Sequence, residues 1–107
     1  MKLVYAIVND DDTYAVTKAL QKRGIRATKL ASTGGFLSRG NTTFMICCTN
    51  EQVDLVIDCC KEHSRKRKQL VSASTVSEGG MNLGQAVEVT IGGATIFVTD
   101  IERFEQV

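Results

Sequence analysis

The residues best suited to chemistry follow one another from Arg26 onward, in the stretch RATKLASTGGFLSRGNTTF. Gly34 and Gly35 can adopt positive φ and turn consecutive backbone N–H groups to one side, which forms a concavity that attracts anions. Arg26 and Arg39 add guanidinium groups whose fork matches a phosphate. Phe36 adds a flat ring, and the stacking of a base on such a ring is worth about 1–3 kcal/mol. This combination favours a nucleotide ligand.

The same residues also have a purely structural interpretation, in which the glycines only make a turn, Phe36 packs in the core and both arginines are solvated. The sequence has no Walker motif and no Gly-x-Gly-x-x-Gly after a strand, so no motif supports hydrolysis. His63, the only histidine, lies at a charged helix end and has no evident nucleophile beside it. Asp10, Asp11 and Asp12 lack the spacing of a metal site and are better explained as helix caps. We therefore predict no catalytic residue, no metal and no cofactor.

The four cysteines form two adjacent pairs, Cys47-Cys48 and Cys59-Cys60. Neighbouring residues point to opposite faces of a strand and diverge by about 100° on a helix, so neither pair easily shares one metal ion. We interpret all four as small, buried, reduced core residues, in preference to a zinc site or a thiol enzyme.

The elements that must position the glycine-rich stretch follow from periodicity and turn residues. An apolar, β-branched run, a helical core stripe and a Gly-Gly turn between two alternating segments are the main signals. We predict strands over 2–8, 25–32 and 42–48, and helices over 12–23 and 51–63, with Asn50 as the cap of the second helix. A glycine loop covers 33–40, an extended segment covers 69–76, and a second loop covers 77–84. The strands 87–91 and 94–98 form a hairpin through Gly92-Gly93. The order is typical of the ferredoxin-like α+β fold, βαββαβ with an extra C-terminal hairpin strand. One sheet face then carries both helices, and the other needs a cover such as another subunit.

Length and composition limit the remaining classes. The 107 residues suit one domain over 1–107, with 43% hydrophobic and 23% charged residues and a formal net charge of +1. A net charge near zero argues against a general nucleic-acid binder. The apolar run after Met1 is too short for a signal peptide, and no longer one follows, so we expect a cytoplasmic protein that does not enter a membrane. The basic residues between 61 and 68 favour a solvated helix end over a phosphate contact.

The stretch RATKLASTGGFLSRGNTTF closely resembles the signature of the PII-like cyclic di-AMP receptors, and MKLVYAIVNDDD and VEVTIGGATIFV resemble the same family. The resemblance covers nearly the whole chain. It implies a PII-type ferredoxin-like homotrimer without enzymatic activity, which binds the second messenger cyclic di-AMP in clefts between subunits and signals to a downstream protein. It also implies that the short loop after the second strand closes on the ligand, and that a larger loop before the last strands moves on binding.

The resemblance assigns ligand-binding roles residue by residue. It places Arg26, Ala27 and Thr28 against base and phosphate. It places Gly35, Phe36 and Leu37 over the adenine, with Asn41 beside them, and Cys47 near the ligand. Phe97 and Gln106 of the C-terminal part complete the cleft.

Two departures from the family pattern fall near the ligand. Gly24 stands where family members carry an asparagine that contacts adenine, and Cys47 stands where they carry a glycine. Two alternatives therefore stay open beside the cyclic di-AMP receptor. One is a PII-like protein that binds ATP or another adenine nucleotide. The other is a ligand-free oligomeric interaction protein.

Overall fold

The computed structural model describes residues 1–32, 40–72 and 86–107. For residues 31, 32, 71, 72 and 86 it describes the backbone only. The predicted glycine loop, apart from Gly40, and the loop over 77–84 lie outside these ranges. The elements, in chain order, are β1 (Lys2–Asn9), a 3-10 turn (Asp10–Asp12), α1 (Thr13–Lys22), β2 (Thr28–Ser32), β3 (Asn41–Cys48), α2 (Asn50–His63), β4 (Arg67–Ser72), β5 (Ala86–Ile91) and β6 (Ala94–Asp100). Neither helix in these ranges is long and apolar enough to cross a membrane.

The main sheet has four antiparallel strands in the order β2-β3-β1-β6. The first and second strands of the chain are separated by the third, and the last strand pairs with the other edge of β1. This is the ferredoxin-like arrangement of split βαβ units. The predicted α+β class and ferredoxin-like pattern are confirmed at this level.

One face of this sheet packs against the helices and forms the core. Successive side chains of a strand point to opposite faces, so every second residue of β1 and β3 enters the core. The core side chains all lie within a few per cent of complete burial. They are Val4, Ala6 and Val8 from β1, Phe44, Ile46 and Cys48 from β3, Val16 and Leu20 from α1, Val56, Cys59 and Cys60 from α2, and Ile25.

The capping of both helices differs from the prediction. Asp12 takes the N-cap position of α1, but its side chain makes no capping hydrogen bond. The three aspartates form the 3-10 turn, where the side chain of Asn9 accepts a hydrogen bond from the backbone N–H of Asp11 at 2.9 Å. Thr49, not Asn50, caps α2, in a reciprocal capping box with Gln52. In both places several adjacent Asn, Asp and Thr residues are suited to a cap, so residue preference alone does not select one.

The predicted hairpin through Gly92-Gly93 is wrong. β5 pairs with β4 in a separate two-stranded sheet, and β6 pairs with β1 in the main sheet. Gly92 and Gly93 have φ of 83° and 84°, and they carry the chain from one sheet to the other. A Cβ on Gly92 would collide with the carbonyl oxygen of Arg65. The glycines therefore serve a close backbone crossing and not a two-residue turn.

An ion pair joins the two-stranded sheet to the main body. The Arg67 guanidinium, at the start of β4, donates to both carboxylate oxygens of Asp12 at 2.7 and 3.3 Å, and also donates to the carbonyl of Arg65 at 3.0 Å. Asp12 is only 5% exposed. A carboxylate buried to that extent needs such a partner, so the Asp12–Arg67 pair fixes where β4 leaves the body.

Candidate ligand-binding groove

A groove of about 720 Å³ lies at the end of the main sheet where β2 begins. Its walls come from the last turns of α1, the segment leading into β2, the end of β3 and the C-terminal tail. The described lining residues are Thr17, Leu20, Gln21, Ile25, Arg26, Ala27, Thr28, Lys29, Phe44, Met45, Cys47, Phe104 and Gln106.

The groove forms because neighbouring elements have unequal lengths. β2 first pairs with β3 at Thr28 and Met45, so the last residues of β3 extend beyond β2. α1 ends before the segment that leads into β2, because Gly24 takes a φ of +70° and its N–H donates to the carbonyl of Gln21 at 3.0 Å. α1 thus ends at Lys22, one residue before the predicted end at residue 23.

The C-terminal tail supplies the remaining wall. The backbone N–H of Ile101 donates to the carbonyl of Met1 at 3.1 Å, which holds the start of the tail at the beginning of β1. From there the chain continues to the β2 side, where Phe104 and Gln106 line the groove. Val107 beyond them is fully exposed and does not line the groove.

The charge of the groove favours an anion. Arg26 and Lys29 line it, and none of its described lining residues is a carboxylate. Within the described ranges Arg26 has no hydrogen-bond or ion-pair partner, whereas Arg67 and Arg103 are paired with Asp12 and Glu105. An unpaired guanidinium beside apolar walls is suited to a phosphate that carries an organic group.

The structure brings together half of the predicted ligand-binding residues. Arg26, Ala27, Thr28, Cys47 and Gln106 all line this one groove although they come from three separate parts of the sequence. The three loop residues Gly35, Phe36 and Leu37 lie outside the described ranges.

Asn41 and Phe97 do not line the groove. Asn41 begins β3 and pairs with Ser32, six residues from Cys47, which is about 20 Å along a strand. Phe97 lies on β6, at the opposite edge of the sheet from β2, and pairs with Tyr5. Both share the sheet face away from the helices with Thr28 and Cys47, as the register and the pleat require.

Sequence reasoning missed several lining residues, among them Gln21, Lys29, Met45 and Phe104. Lys29 follows Thr28 directly, so its closeness to the groove was readable from the motif. Gln21 has a weaker signal: it lies in the last turn of α1 before Gly24, among other polar residues from which no pattern separates it. Its proximity to Gln106 depends on the path of the tail, which no local pattern encodes.

The cysteines divide into two classes. Cys48, Cys59 and Cys60 are buried as predicted, and burial raises the pKa of each thiol, that of Cys60 to about 11. The prediction is wrong for Cys47, which is exposed in the groove. The pleat explains the difference, because Cys47 and Cys48 are consecutive on β3 and face opposite sides of the sheet.

The basic run beyond α2 borders a second, smaller cavity of about 420 Å³. Asp12, Glu62, His63, Arg65, Lys66 and Arg67 line it. Arg67 is neutralised by Asp12, and Glu62 lies 3.8 Å from His63. The cavity thus mixes both signs of charge, unlike the groove beside Arg26.

Both the fold and the sequence of this chain are similar to those of other proteins. A crystal structure of a functionally unknown protein from Pediococcus pentosaceus ATCC 25745 superposes with a TM-score of 0.75 at 37% sequence identity, and the match covers 99% of this chain and 96% of that one. The family model described as cyclic-di-AMP receptor matches residues 1–107. The chain belongs to the cyclic-di-AMP receptor family.

Proposed function

We propose that this protein is a homotrimeric, non-enzymatic receptor that binds cyclic di-AMP in clefts between its subunits and passes the signal to a partner protein. The observation that carries the proposal is the groove that gathers Arg26, Ala27, Thr28, Cys47 and Gln106 in a chain of this receptor family. Its volume of about 720 Å³ suits a ligand of nucleotide size.

The chemistry of the groove supports a phosphate-containing ligand. Arg26 offers a fork of donors that no carboxylate of the described residues occupies, and Thr28 lies two residues further along the same wall. Met45 and Phe104 offer apolar surface for a base. A bound phosphodiester would face Arg26 and Lys29, and its base would lie against the apolar part.

The position of Phe97 supports a site shared between subunits. Phe97 is 57% exposed and lies three strands away from β2, about 14 Å at the usual strand spacing. Within one chain it is badly placed to touch a ligand beside Thr28. A second copy can present its β6 edge to the groove, so a neighbouring subunit would supply Phe97.

The uncovered sheet face supports oligomerisation. It carries apolar side chains that are only partly buried within one chain, unlike those of the helix-covered face. They are Leu3, Tyr5 and Ile7 from β1, Met45 from β3, and Phe97. Contiguous apolar surface of this kind is typically covered by another subunit.

Isothermal titration calorimetry with cyclic di-AMP, cyclic di-GMP and ATP tests the proposal. We expect saturable binding of cyclic di-AMP at one ligand per chain and much weaker binding of the other two. ATP binding without cyclic di-AMP binding would instead support the adenine-nucleotide alternative. No binding of any of them would support a ligand-free interaction protein.

The Arg26→Ala variant tests the site itself. A charge-assisted hydrogen bond is worth about 1.5–3 kcal/mol, so we expect cyclic di-AMP affinity to fall about tenfold to a hundredfold. Arg23→Ala is the matched control, because Arg23 is exposed at the end of α1 and does not line the groove. Equal losses in both variants would mean that Arg26 contributes only general positive charge.

A further inference from the structure

Among the described lining residues of the groove, Gln21 is the carboxamide that lies on a helix. It belongs to the last turn of α1, which ends at Lys22, and it lines the groove together with Phe104 and Gln106 of the C-terminal tail. Among the described residues, its side-chain amide has no hydrogen-bond partner. We propose that Gln21 is a specificity-determining residue that reads the amino-bearing edge of the adenine, an assignment that rests on the proposed function.

The argument begins with what an adenine edge requires. The 6-amino group donates a hydrogen bond, and the adjacent ring nitrogen accepts one, so a matching side chain must accept and donate side by side. A carboxamide does both in one plane, which is why Asn and Gln are the usual partners of adenine. Guanine presents two acceptors at the corresponding edge and suits Arg or Lys instead.

Apart from Gln106, the other polar groups of the described groove lining do not meet this requirement. Arg26 and Lys29 only donate. The Thr17 hydroxyl is already committed, since it donates to the carbonyl of Thr13 at 2.7 Å within α1. The Thr28 hydroxyl is a single atom that cannot span two positions of a base.

Gln106 is the other carboxamide of the groove, and its setting differs. It belongs to the tail after β6, next to the fully exposed Val107. Gln21 is held by the hydrogen bonds of α1 and by Leu20 beside it, which is buried in the core. Recognition groups on rigid elements are more precisely placed than those on irregular segments, so we assign discrimination to Gln21.

Calorimetry with two ligands and two variants tests the assignment. Cyclic di-IMP carries an oxygen in place of the 6-amino group, and it should bind the wild-type protein about tenfold more weakly than cyclic di-AMP. In Gln21→Ala the affinity for cyclic di-AMP should fall about tenfold, and the difference between the two ligands should largely disappear. Alanine has the highest helix propensity, so α1 should remain folded, which circular dichroism checks.

Gln69→Ala is the matched control, because Gln69 is exposed on β4 and outside the groove; it should keep both affinities. An undiminished preference for cyclic di-AMP in Gln21→Ala would overturn the assignment and leave the receptor function standing. A wild-type protein that binds neither ligand would overturn both.

Discussion

The two faces of the main sheet are built from the same strands and have opposite properties. On the helix-covered face of β1 and β3, every side chain from Val4 to Val8 and from Thr42 to Cys48 that points inward is buried. On the other face the alternate residues remain partly exposed and include Thr28, Asn41, Cys47 and Phe97. The period of two along a strand thus separates stability from binding: one set of residues holds the fold, and the other is available to a ligand or a subunit.

A matched pair of phenylalanines gives the largest expected contrast between the faces. Phe44 is 1% exposed in the core, so Phe44→Ala should lower the free energy of unfolding by about 3–5 kcal/mol through lost burial and a cavity. Phe97→Ala, on the open face, should cost about 1 kcal/mol or less in the same measurement and should lower ligand affinity instead. Urea unfolding of both variants checks this, and equal destabilisation would remove the distinction.

A charge on the open face, the face of the main sheet away from the helices, should change the oligomeric state of the protein. Tyr5 lies at its centre, between Met45 on β3 and Phe97 on β6. Tyr5→Glu places a charge there, and burial of an unpaired charge is costly. We expect light scattering to show a fall from three chains of 11.7 kDa to one.

Tyr14→Glu is the control for that change, because Tyr14 lies on α1 and is 74% exposed. Its ring lies under the Lys18 ammonium, on the same helix. It should leave the mass unchanged. A Tyr5→Glu protein that keeps the mass of the wild type would contradict a trimer built on this face.

The pKa of Cys60 predicts a loss of stability in alkali on the helix-covered side. Burial raises this pKa from an ordinary value of 9.0 to about 11. The unfolded chain therefore releases the thiol proton at lower pH than the folded chain. The contribution of Cys60 to stability is complete below pH 9 and is lost as the pH rises toward about 11.

Urea unfolding of wild type and Cys60→Ala between about pH 8 and about pH 10.5 measures this effect. The variant should be less stable at every pH, but its stability should fall less steeply, because one titrating thiol is gone. Parallel curves would mean that Cys60 titrates alike in both states.

How far the sequence predicts this molecule depends on whether a signal is local. The apolar, β-branched run of β1 and the apolar residues of β3 predicted both strands, because strand propensity acts over a few neighbouring residues. Gly92-Gly93 misled, because two glycines at positive φ are equally compatible with a tight hairpin and with a crossing between sheets, and only the partner strands decide. The groove also combines local and distant signals. Arg26 and Thr28 could be predicted from one motif. That Gln21 and the tail line the same groove depends on contacts between distant segments and could not.

The two adjacent cysteines of β3 offer the smallest and most local comparison of the faces. Cys47 is exposed in the groove, while Cys48 is buried and its pKa is raised by burial. Only a thiolate reacts quickly with iodoacetamide. We therefore expect one fast-reacting thiol per folded chain at about pH 8, with Cys48, Cys59 and Cys60 reacting only on unfolding.

Peptide mapping identifies the labelled residue, and Cys47→Ser should abolish the fast reaction without changing stability measurably. Saturating cyclic di-AMP should slow the labelling of Cys47, since a ligand in the groove covers that side chain. Cyclic di-GMP at the same concentration is the control for nonspecific protection. Labelling at an unchanged rate under saturating cyclic di-AMP would place the ligand away from the open end of β3, and with it away from Arg26 and Gln21.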